Sequence, residues 1–365
     1  MIMNTIKDII TTFAPEYLER HKLSIPKNHI KVIKAIMSCR TWDRGWTVYS
    51  CKKCGKIHSV FRSCGNRHCP TCQNHKTRDW LKAQSERQVP GHYFMITVTL
   101  PDTLRGIVRS NQRISYGAMF KASSQAIKKL SPDKKYMGGD LPGFFGVLHT
   151  WGRQLQYHPH IHYIVPGGAF SKKDGLWHSS SPNFCFVEKA LAKIFKAKFL
   201  DLMRKAGLLS RIPYEARKKD WNVNCKAVGT GVESIKYLAP YVFKVAISNS
   251  RIIKVENRIV YYRYKKAKSN RFRLGKMKVM EFMRRFLQHV LPTGFMKVRY
   301  YGFLHPCSSI CLEQIRVAIE IANGVKVVTV QIEITRFIPS CPDCGGELEY
   351  MYSVLPYMLP PKEPG

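Results

Sequence analysis

Apolar side chains recur along this chain with two different periods, which predicts a mixture of helices and strands. Near the N-terminus Ile6, Ile9 and Phe13 keep the spacing of one helix face. In residues 92–100 the side chains alternate as they do on a half-buried strand. The same patterns predict strands at 144–151 and 158–165, and helices at 76–88, 107–130 and 187–206. This order of elements predicts an α+β fold, with a central antiparallel sheet flanked by helices rather than a doubly wound sheet.

The chain is strongly basic. Its 365 residues include 60 Lys and Arg against 24 Asp and Glu, a formal net charge of +36, while 45% are hydrophobic. This excess of positive charge on a folded protein predicts a polyanionic partner, and nucleic acid is favoured over a membrane surface. No run of about eighteen apolar residues is present, and the acidic positions 8, 16 and 19 are atypical of a secretory signal. We therefore expect a cytoplasmic, nucleoid-associated protein whose twelve cysteines are thiols or metal ligands.

Two Cys-x-x-Cys pairs in the first quarter of the chain predict a structural zinc site. Cys51 and Cys54 form the first pair, and Cys69 and Cys72 form the second. Four thiolates at this spacing suit a tetrahedral zinc in a knuckle or ribbon, and the strand context of a thioredoxin-like redox pair is missing. Further residues of this region that offer ligand atoms are His58, Cys64, His68 and His75.

A second group of cysteines near the C-terminus has two interpretations. Cys307, Cys311, Cys341 and Cys344 offer the four thiolates of a second zinc, and the last two repeat the knuckle form. The wider gap in the first pair also suits buried small residues on a helix. The cysteines outside both groups, which we expect in the interior, are Cys39, Cys185 and Cys225.

Three histidines stand at alternate positions in the stretch YHPHIHYIV. On an extended strand His158, His160 and His162 project from one face, and neutral imidazoles so placed form a site for a divalent metal. The alternative is a polar strand face in contact with solvent. Strand parity favours His158 as the third ligand, whereas a hairpin with the strand at 144–151 favours His149. Polar candidates between the two strands are Gln154 and Gln156.

Two tyrosines follow about seventy-five residues later. Tyr237 and Tyr241 lie one helical turn apart in a helical pattern over 233–244, so they share a face. A packed amphipathic stripe is the alternative to a pair of nucleophiles. Pro240 between them predicts a kink or a helix start, because proline removes a helical hydrogen bond.

Together these motifs resemble the three motifs of the HUH (His–hydrophobic–His) endonuclease superfamily. They are a Phe-x-Ile-Thr-x-Thr-Leu strand, an HPHIH strand and a Tyr-x-x-x-Tyr helix, in that order. With the knuckle SCGNRHCPTCQ and the blocks LHTWG and KYLAPYVFKVAISNSRI, the chain is similar to the two-tyrosine transposases of bacterial rolling-circle insertion sequences. This insertion-sequence-91 family carries an N-terminal zinc-binding domain, and the resemblance covers roughly residues 15–348.

The resemblance implies a transposase that nicks and rejoins single-stranded DNA. A tyrosine hydroxyl, from Tyr237 or Tyr241, attacks the scissile phosphate and gives a 5′-phosphotyrosine and a free 3′-hydroxyl. His160 and His162 hold a catalytic Mg²⁺ or Mn²⁺, zinc is structural, and no nucleotide cofactor is used. The partners are single-stranded DNA at the transposon ends and target DNA. The alternatives are a rolling-circle replication initiator of a plasmid or phage, and a non-enzymatic zinc protein that binds DNA.

Aromatic and basic side chains alternate in residues 258–273, as in a ribbon that grips nucleic acid. An exposed hairpin with ordinary solvating charges is the alternative. The basic residues that we expect at DNA are Arg62, Arg67, Arg263, Lys265, Lys266, Arg271 and Arg273. The predicted segments are a helical lead-in at 1–45, a zinc-binding domain at 46–90, a catalytic domain at 91–252, a basic DNA-binding region at 253–348 and a Pro-rich tail at 349–365.

Overall fold

The structure, a computed structural model, describes residues 3–72, 74–230, 235, 242, 246–265, 269, 271–324 and 339–358. The helices are α1 (Ile6–Arg20), α2 (Lys27–Met37), α3 (Asn74–Glu86), α4 (Arg105–Ser110), α5 (Gln112–Leu130), α6 (Glu188–Lys205), α7 (Tyr214–Lys218), α8 (Val279–Leu287) and α9 (Leu312–Asn323). The strands are β1 (Trp46–Cys51), β2 (Ile57–Phe61), β3 (His92–Thr99), β4 (Phe144–Trp151), β5 (Tyr157–Pro166), β6 (Gly168–Phe170), β7 (Trp177–Ser179), β8 (Asn222–Thr230), β9 (Ile252–Glu256), β10 (Ile259–Lys265), β11 (Phe272–Lys278), β12 (Val298–Tyr301) and β13 (Leu348–Val354). None of these described helices is long and apolar enough to cross a bilayer.

The chain divides into two units that each combine segments distant in sequence. The first unit is Met1–Lys76, Ile247–Val290 and Glu333–Gly365, and the second is Thr77–Ala246 and Leu291–Ile332. The linear division predicted from sequence keeps 46–90 apart from 253–348, whereas the first unit takes part of each. Strand pairing explains this, because β13 near the C-terminus pairs antiparallel with β1 near the N-terminus.

The first unit contains a helical lead-in and two three-stranded sheets. Thr5 caps α1 through a capping box with Asp8, which satisfies amides that the helix itself leaves unpaired. The apolar face of α1, including Ile6, Ile9 and Ile10, is fully buried, and α1 packs against α2 and α8. The sheets have the strand orders β13-β1-β2 and β11-β10-β9.

The second unit is built on a five-stranded antiparallel sheet with the order β12-β4-β5-β3-β8. Side chains alternate along β3 as the sequence predicts. Phe94, Ile96 and Val98 are buried on one face, where residues of α4, α5 and α6 complete a single hydrophobic cluster. The opposite face carries a separate cluster that includes Phe145 and Val147.

The predicted α+β class with a central antiparallel sheet flanked by helices is confirmed. The predicted strands at 144–151 and 158–165 appear as β4 and β5, and the predicted helix at 187–206 as α6. The helix predicted at 107–130 is interrupted at Asn111, which separates α4 from α5. The helix predicted at 233–244 lies outside the described residues apart from 235 and 242.

Candidate active site and metal centres

Three histidines meet on the sheet face opposite α5 and α6. The register of β4 and β5 places His149 directly across from His160, and Val147 across from His162. Directly paired residues share a face, so all three imidazoles lie on the face of the Val147 cluster. The ring centroids of His160 and His162 are 4.8 Å apart, and His149 is 5.4 and 4.9 Å from them. One nitrogen from each ring lies within 4.8 Å of the others, which is a spacing that a single ion can bridge.

Hydrogen bonds fix the orientation of two of these rings. His160 Nδ1 lies 2.7 Å from the backbone oxygen of His158, which can only accept. His160 Nδ1 therefore carries the ring proton, and Nε2 presents a lone pair. His162 Nδ1 lies 3.0 Å from Thr97 Oγ1, a contact that orients the second ring.

Burial keeps the rings of His160 and His162 neutral. It lowers the pKa of His160 to about 3, with a further contribution from the neighbouring His162, and the pKa of His162 to about 4. His149 is only 2% exposed. Neutral imidazoles are the form that binds a metal ion, so the site is ready for a divalent cation at neutral pH.

The structure brings His149, and not His158, into the three-ring cluster. Between the pairs His149–His160 and Trp151–Tyr157 the strand β5 has one residue more than β4, so the strand bulges there. His158 keeps the alternation of β5, and its ring centroid lies 5.1 Å from that of His160, but it is not part of the three-ring cluster. Its Nδ1 lies 3.3 Å from the guanidinium of Arg105, and its pKa is lowered by burial and by that cation.

Tyr237 and Tyr241 lie outside the described residues. Ile235, two residues before Tyr237, and Val242, directly after Tyr241, are described and are buried in the cluster of Val147 on the histidine face. This cluster places both ends of the tyrosine-bearing stretch on the same sheet face as the imidazoles.

A chain of contacts links Val242 to the histidines. Lys297 Nζ donates a 3.0 Å hydrogen bond to the backbone oxygen of Val242. The same ammonium lies 4.9 Å from the ring centroid of Trp151. That indole stacks on His149, with ring centroids 5.1 Å apart. One lysine therefore connects the residue after Tyr241 to the three-histidine cluster.

The structure divides the four predicted zinc ligands of the N-terminal region between two clusters. The first, called the loop cluster, consists of Cys39, Cys64, Cys69 and Cys72. Its sulfur–sulfur distances include 3.3 Å for Cys39–Cys72, 3.5 Å for Cys64–Cys72 and 3.7 Å for Cys39–Cys69. A tetrahedral zinc with bonds of about 2.3 Å requires about 3.8 Å between sulfurs, so this donor set fits zinc. The grouping of Cys51 and Cys54 with Cys69 and Cys72 is therefore corrected.

Cys39 is a candidate ligand that the sequence analysis does not identify. It was expected in the interior, and it is indeed buried, but its sulfur completes the loop cluster. It lies just after α2 with no cysteine at knuckle spacing, so no local pattern marks it. Cys64 was named only as an alternative, and the structure makes it part of the same cluster.

The second group, called the knuckle cluster, consists of Cys51, Cys54, Cys341 and Cys344. The predicted partnership of Cys341 and Cys344 with Cys307 and Cys311 is therefore corrected. Cys307 and Cys311 belong to the second unit and are exposed, one in a turn and the other as the N-cap of α9. Pairing of β13 with β1 brings the C-terminal pair to Cys51 and Cys54 instead.

The predicted basic ribbon forms β10 and β11. Its exposed face carries Tyr261, whose ring lies 5.3 Å from Lys254 Nζ and 5.5 Å from Lys276 Nζ. Arg263 is exposed, and Lys265 lies over Phe272. Further along, Arg271 and Arg273 are exposed as well. Lys266 lies outside the described residues.

The two DNA contacts predicted in the zinc-binding region are less exposed than Arg263, Arg271 and Arg273 of the ribbon. Arg62 and Arg67 are both partly buried, and burial lowers the pKa of Arg67.

Comparison with known proteins gives two domain families and two relatives. Residues 9–100 match the family "Transposase zinc-binding domain", and residues 143–310 match the family described as "Putative transposase". The protein "Putative transposase y4qJ" of Sinorhizobium fredii is 34% identical over 319 residues, which cover 82% of this chain and 80% of that protein. The "Transposase for insertion sequence element IS801" of Pseudomonas savastanoi is 24% identical over 296 residues, 75% of this chain and 70% of that protein. The first family match encloses the loop cluster, and the second encloses the three histidines.

Proposed function

Because the chain belongs to the insertion-sequence-91 family of transposases with an N-terminal zinc-binding domain, we propose that it nicks and rejoins single-stranded DNA through 5′-phosphotyrosine intermediates in rolling-circle transposition. The observation that carries this proposal is the cluster of His149, His160 and His162. It shares a sheet face with Ile235 and Val242, which bracket Tyr237 and Tyr241 in the sequence.

The proposed cleavage is a transfer of a phosphodiester to tyrosine. The phenolic oxygen of Tyr237 or Tyr241 attacks phosphorus, and a bond from phosphorus to the tyrosine oxygen forms. The bond from phosphorus to the 3′ oxygen breaks, and that oxygen keeps the electron pair and takes up a proton. The phenolic proton passes to water. In rejoining, the 3′-hydroxyl of another end loses its proton to water and attacks phosphorus. The bond from phosphorus to the tyrosine oxygen breaks and that oxygen takes up a proton, so no nucleotide cofactor is consumed.

The two tyrosines give the proposed enzyme two covalent attachment points. A strand-transfer cycle has to hold one cleaved end while a second end is cut, and a single nucleophile cannot hold both. We propose that Tyr237 and Tyr241 share this work.

The donor set of the three histidines fits a divalent ion. A phenol has a reference pKa near 10 and is a weak nucleophile at neutral pH, so positive charge beside the phosphate is valuable. His149, His160 and His162 would hold an Mg²⁺ or Mn²⁺ ion, which would supply that charge and polarise the phosphoryl oxygens. Three neutral imidazoles leave the charge of the ion undiminished, and imidazole nitrogen suits Mn²⁺ better than Mg²⁺. The protein itself contributes the orientation of the rings, through the His158 carbonyl and Thr97.

The basic ribbon is proposed to guide the DNA strand. Tyr261, between Lys254 and Lys276, offers a ring for a base to stack on and two cations for phosphates. Arg263 and Lys265 extend the cationic face along β10. Such contacts hold the backbone of a strand and do not read its sequence.

The test is a cleavage assay on single-stranded oligonucleotides taken from the ends of the encoding element. Wild type is compared with Tyr237→Phe, Tyr241→Phe, the double variant and His160→Ala, with Mn²⁺ or Mg²⁺. Tyr214→Phe is the matched control, because Tyr214 is an exposed tyrosine on α7. We expect a covalent protein–DNA adduct that needs the divalent ion and persists in the control.

The double tyrosine variant and His160→Ala should form no adduct, and the single variants assign the order of the tyrosines. DNA binding without any adduct in wild type would instead indicate a non-enzymatic zinc protein and overturn the proposal.

A further inference from the structure

The two halves of the knuckle cluster have the same backbone geometry. In the first, Gly55 N donates to Cys51 O at 2.9 Å, and Cys51 N donates to Lys56 O at 2.9 Å. In the second, Gly345 N donates to Cys341 O at 2.9 Å, and Cys341 N donates to Gly346 O at 2.7 Å.

Both turns also place glycine one residue after the second cysteine. Gly55 and Gly345 have φ of +71°, a left-handed conformation that glycine adopts without steric cost. Two identical turns of this kind, facing each other, are what a tetrahedral ion requires of two Cys-x-x-Cys pairs.

The sulfur positions fit one ion. Cys51 Sγ and Cys344 Sγ are 3.5 Å apart, and Cys54 Sγ and Cys341 Sγ are 3.8 Å apart. A tetrahedral four-thiolate zinc requires about 3.8 Å. Gly346 permits this approach, since a Cβ there would lie 3.1 Å from Cys51 Sγ and 2.6 Å from the Cβ of Lys53.

The surroundings suit the charge of such a centre. Four thiolates and Zn²⁺ together carry a net charge of −2, and the cations Lys52 and Lys56 lie at the knuckles. Each lysine pairs across the two turns, Lys56 with Asp343 at 2.8 Å and Lys52 with Glu347 at 3.1 Å. His58 Nε2 lies 3.2 Å from Cys341 Sγ, and a proton on that nitrogen would let it donate to the thiolate.

We propose that the knuckle cluster binds a second zinc ion, separate from the zinc of the loop cluster. The family match to the zinc-binding domain ends at residue 100, so it contains only half of these ligands. Cys54 and Cys341 are 287 positions apart, and the ion therefore joins the two ends of the chain in one zinc ribbon. Residues 339–358 belong to the zinc-binding region through this ion and through the pairing of β13 with β1. The proposal does not depend on the proposed DNA chemistry.

The first test counts zinc in the purified full-length chain by elemental mass spectrometry. We expect two zinc ions per chain in wild type and one in Cys344→Ser. Cys307→Ser is the matched control and should keep two, because Cys307 is exposed and belongs to neither cluster. A single zinc in wild type, or two in Cys344→Ser, would overturn the proposal.

The second test uses the wild-type protein, so its outcome does not depend on whether a cysteine variant folds. Under reducing conditions the rate of alkylation of each cysteine is followed by mass spectrometry. Cys54 and Cys307 are both exposed, but zinc coordination should slow the alkylation of Cys54 at least about tenfold relative to Cys307. A chelator strong enough to remove zinc should deprotect Cys54 and Cys344 together. Equal rates for Cys54 and Cys307 before chelation would overturn the proposal.

Discussion

His160 Nδ1 donates a 2.7 Å hydrogen bond to the backbone oxygen of His158. The acceptor belongs to the main chain, so it survives replacement of the His158 side chain. His158 therefore orients one ring of the candidate metal site through its backbone, while its imidazole faces Arg105. His149, across the hairpin from His160, supplies the third ring.

Removal of the His149 ring should weaken the proposed ion site far more than removal of the His158 ring. We expect His149→Ala to lower the rate of adduct formation at limiting Mn²⁺ by at least about 100-fold, because a metal ligand is lost. His158→Ala should change it by less than about tenfold, since the carbonyl remains. Rates measured over a series of Mn²⁺ concentrations check this. A larger effect at His158 would make that residue the third ligand.

Thr97 should affect the affinity of the site for the ion, although it is not itself a proposed ligand. Its Oγ1 lies 3.0 Å from His162 Nδ1, so Thr97→Val removes an orienting contact but keeps the side-chain shape. We expect Mn²⁺ affinity to fall by about 10–100-fold. Thr99→Val is the matched control, since Thr99 lies two residues on along the same face of β3. Isothermal titration with Mn²⁺ measures both, and equal losses in the two variants would contradict an orienting role for Thr97.

Lys297 should position the stretch that carries the tyrosines. Its ammonium binds the backbone oxygen of Val242 and lies over Trp151, so Lys297→Met removes this link. We expect adduct formation to slow by about 10–100-fold, because small misplacements of a nucleophile are costly. Mn²⁺ affinity should change by less than about twofold, since no metal ligand is removed. A parallel loss of Mn²⁺ affinity would show that Lys297 supports the histidines instead.

The sheet and two histidines of the candidate metal site could be predicted from the sequence, because strand alternation is a local property. The period-two pattern around His160 and His162 is enough to place both on one face. The third ligand could not be chosen in this way. His158 keeps the alternation of β5, whereas His149 reaches the cluster from the other strand of the hairpin, through the register of β4 with β5.

The cysteines show a different limit. The spacing of Cys51–Cys54 and Cys69–Cys72 predicts two knuckles, but it is equally compatible with any pairing between knuckles. The actual partner of Cys51–Cys54 is set by the register of β1 with β13, which joins opposite ends of the chain. Cys39 has no second cysteine at knuckle spacing, so only the tertiary fold reveals it as a candidate ligand.

Tyr261 should contribute to binding of single-stranded DNA through base stacking. Tyr261→Ala is expected to weaken binding by about 1–3 kcal/mol, the usual value of one stacked base. Tyr214→Ala is a close control, because Tyr214 is exposed and also lies under a lysine, Lys218, at 4.7 Å. Fluorescence anisotropy with an oligonucleotide measures both. Unchanged affinity in Tyr261→Ala would exclude stacking at this ring.

Replacing Lys254 or Lys276 by Gln should reduce the slope of log affinity for single-stranded DNA against log salt concentration by about 0.7 for each lysine.

Replacement of Gly346 by alanine should weaken zinc binding at the knuckle cluster, because a methyl group there would occupy the space between the two turns. Gly346→Ala would place a Cβ 2.6 Å from Lys53 Cβ and 3.3 Å from Cys344 Sγ, so the turns have to separate. We expect the affinity for one of the two zinc ions to fall at least about tenfold, because the four sulfurs no longer reach one tetrahedral ion.

Gly117→Ala on α5 is the matched control. A Cβ at Gly117 meets nothing within 4 Å, and alanine there should raise stability by about 0.5–1 kcal/mol with zinc binding unchanged. Competition with a chromophoric chelator measures the affinity for each of the two ions, and wild-type affinities for both ions in Gly346→Ala would show that the turns tolerate the methyl group.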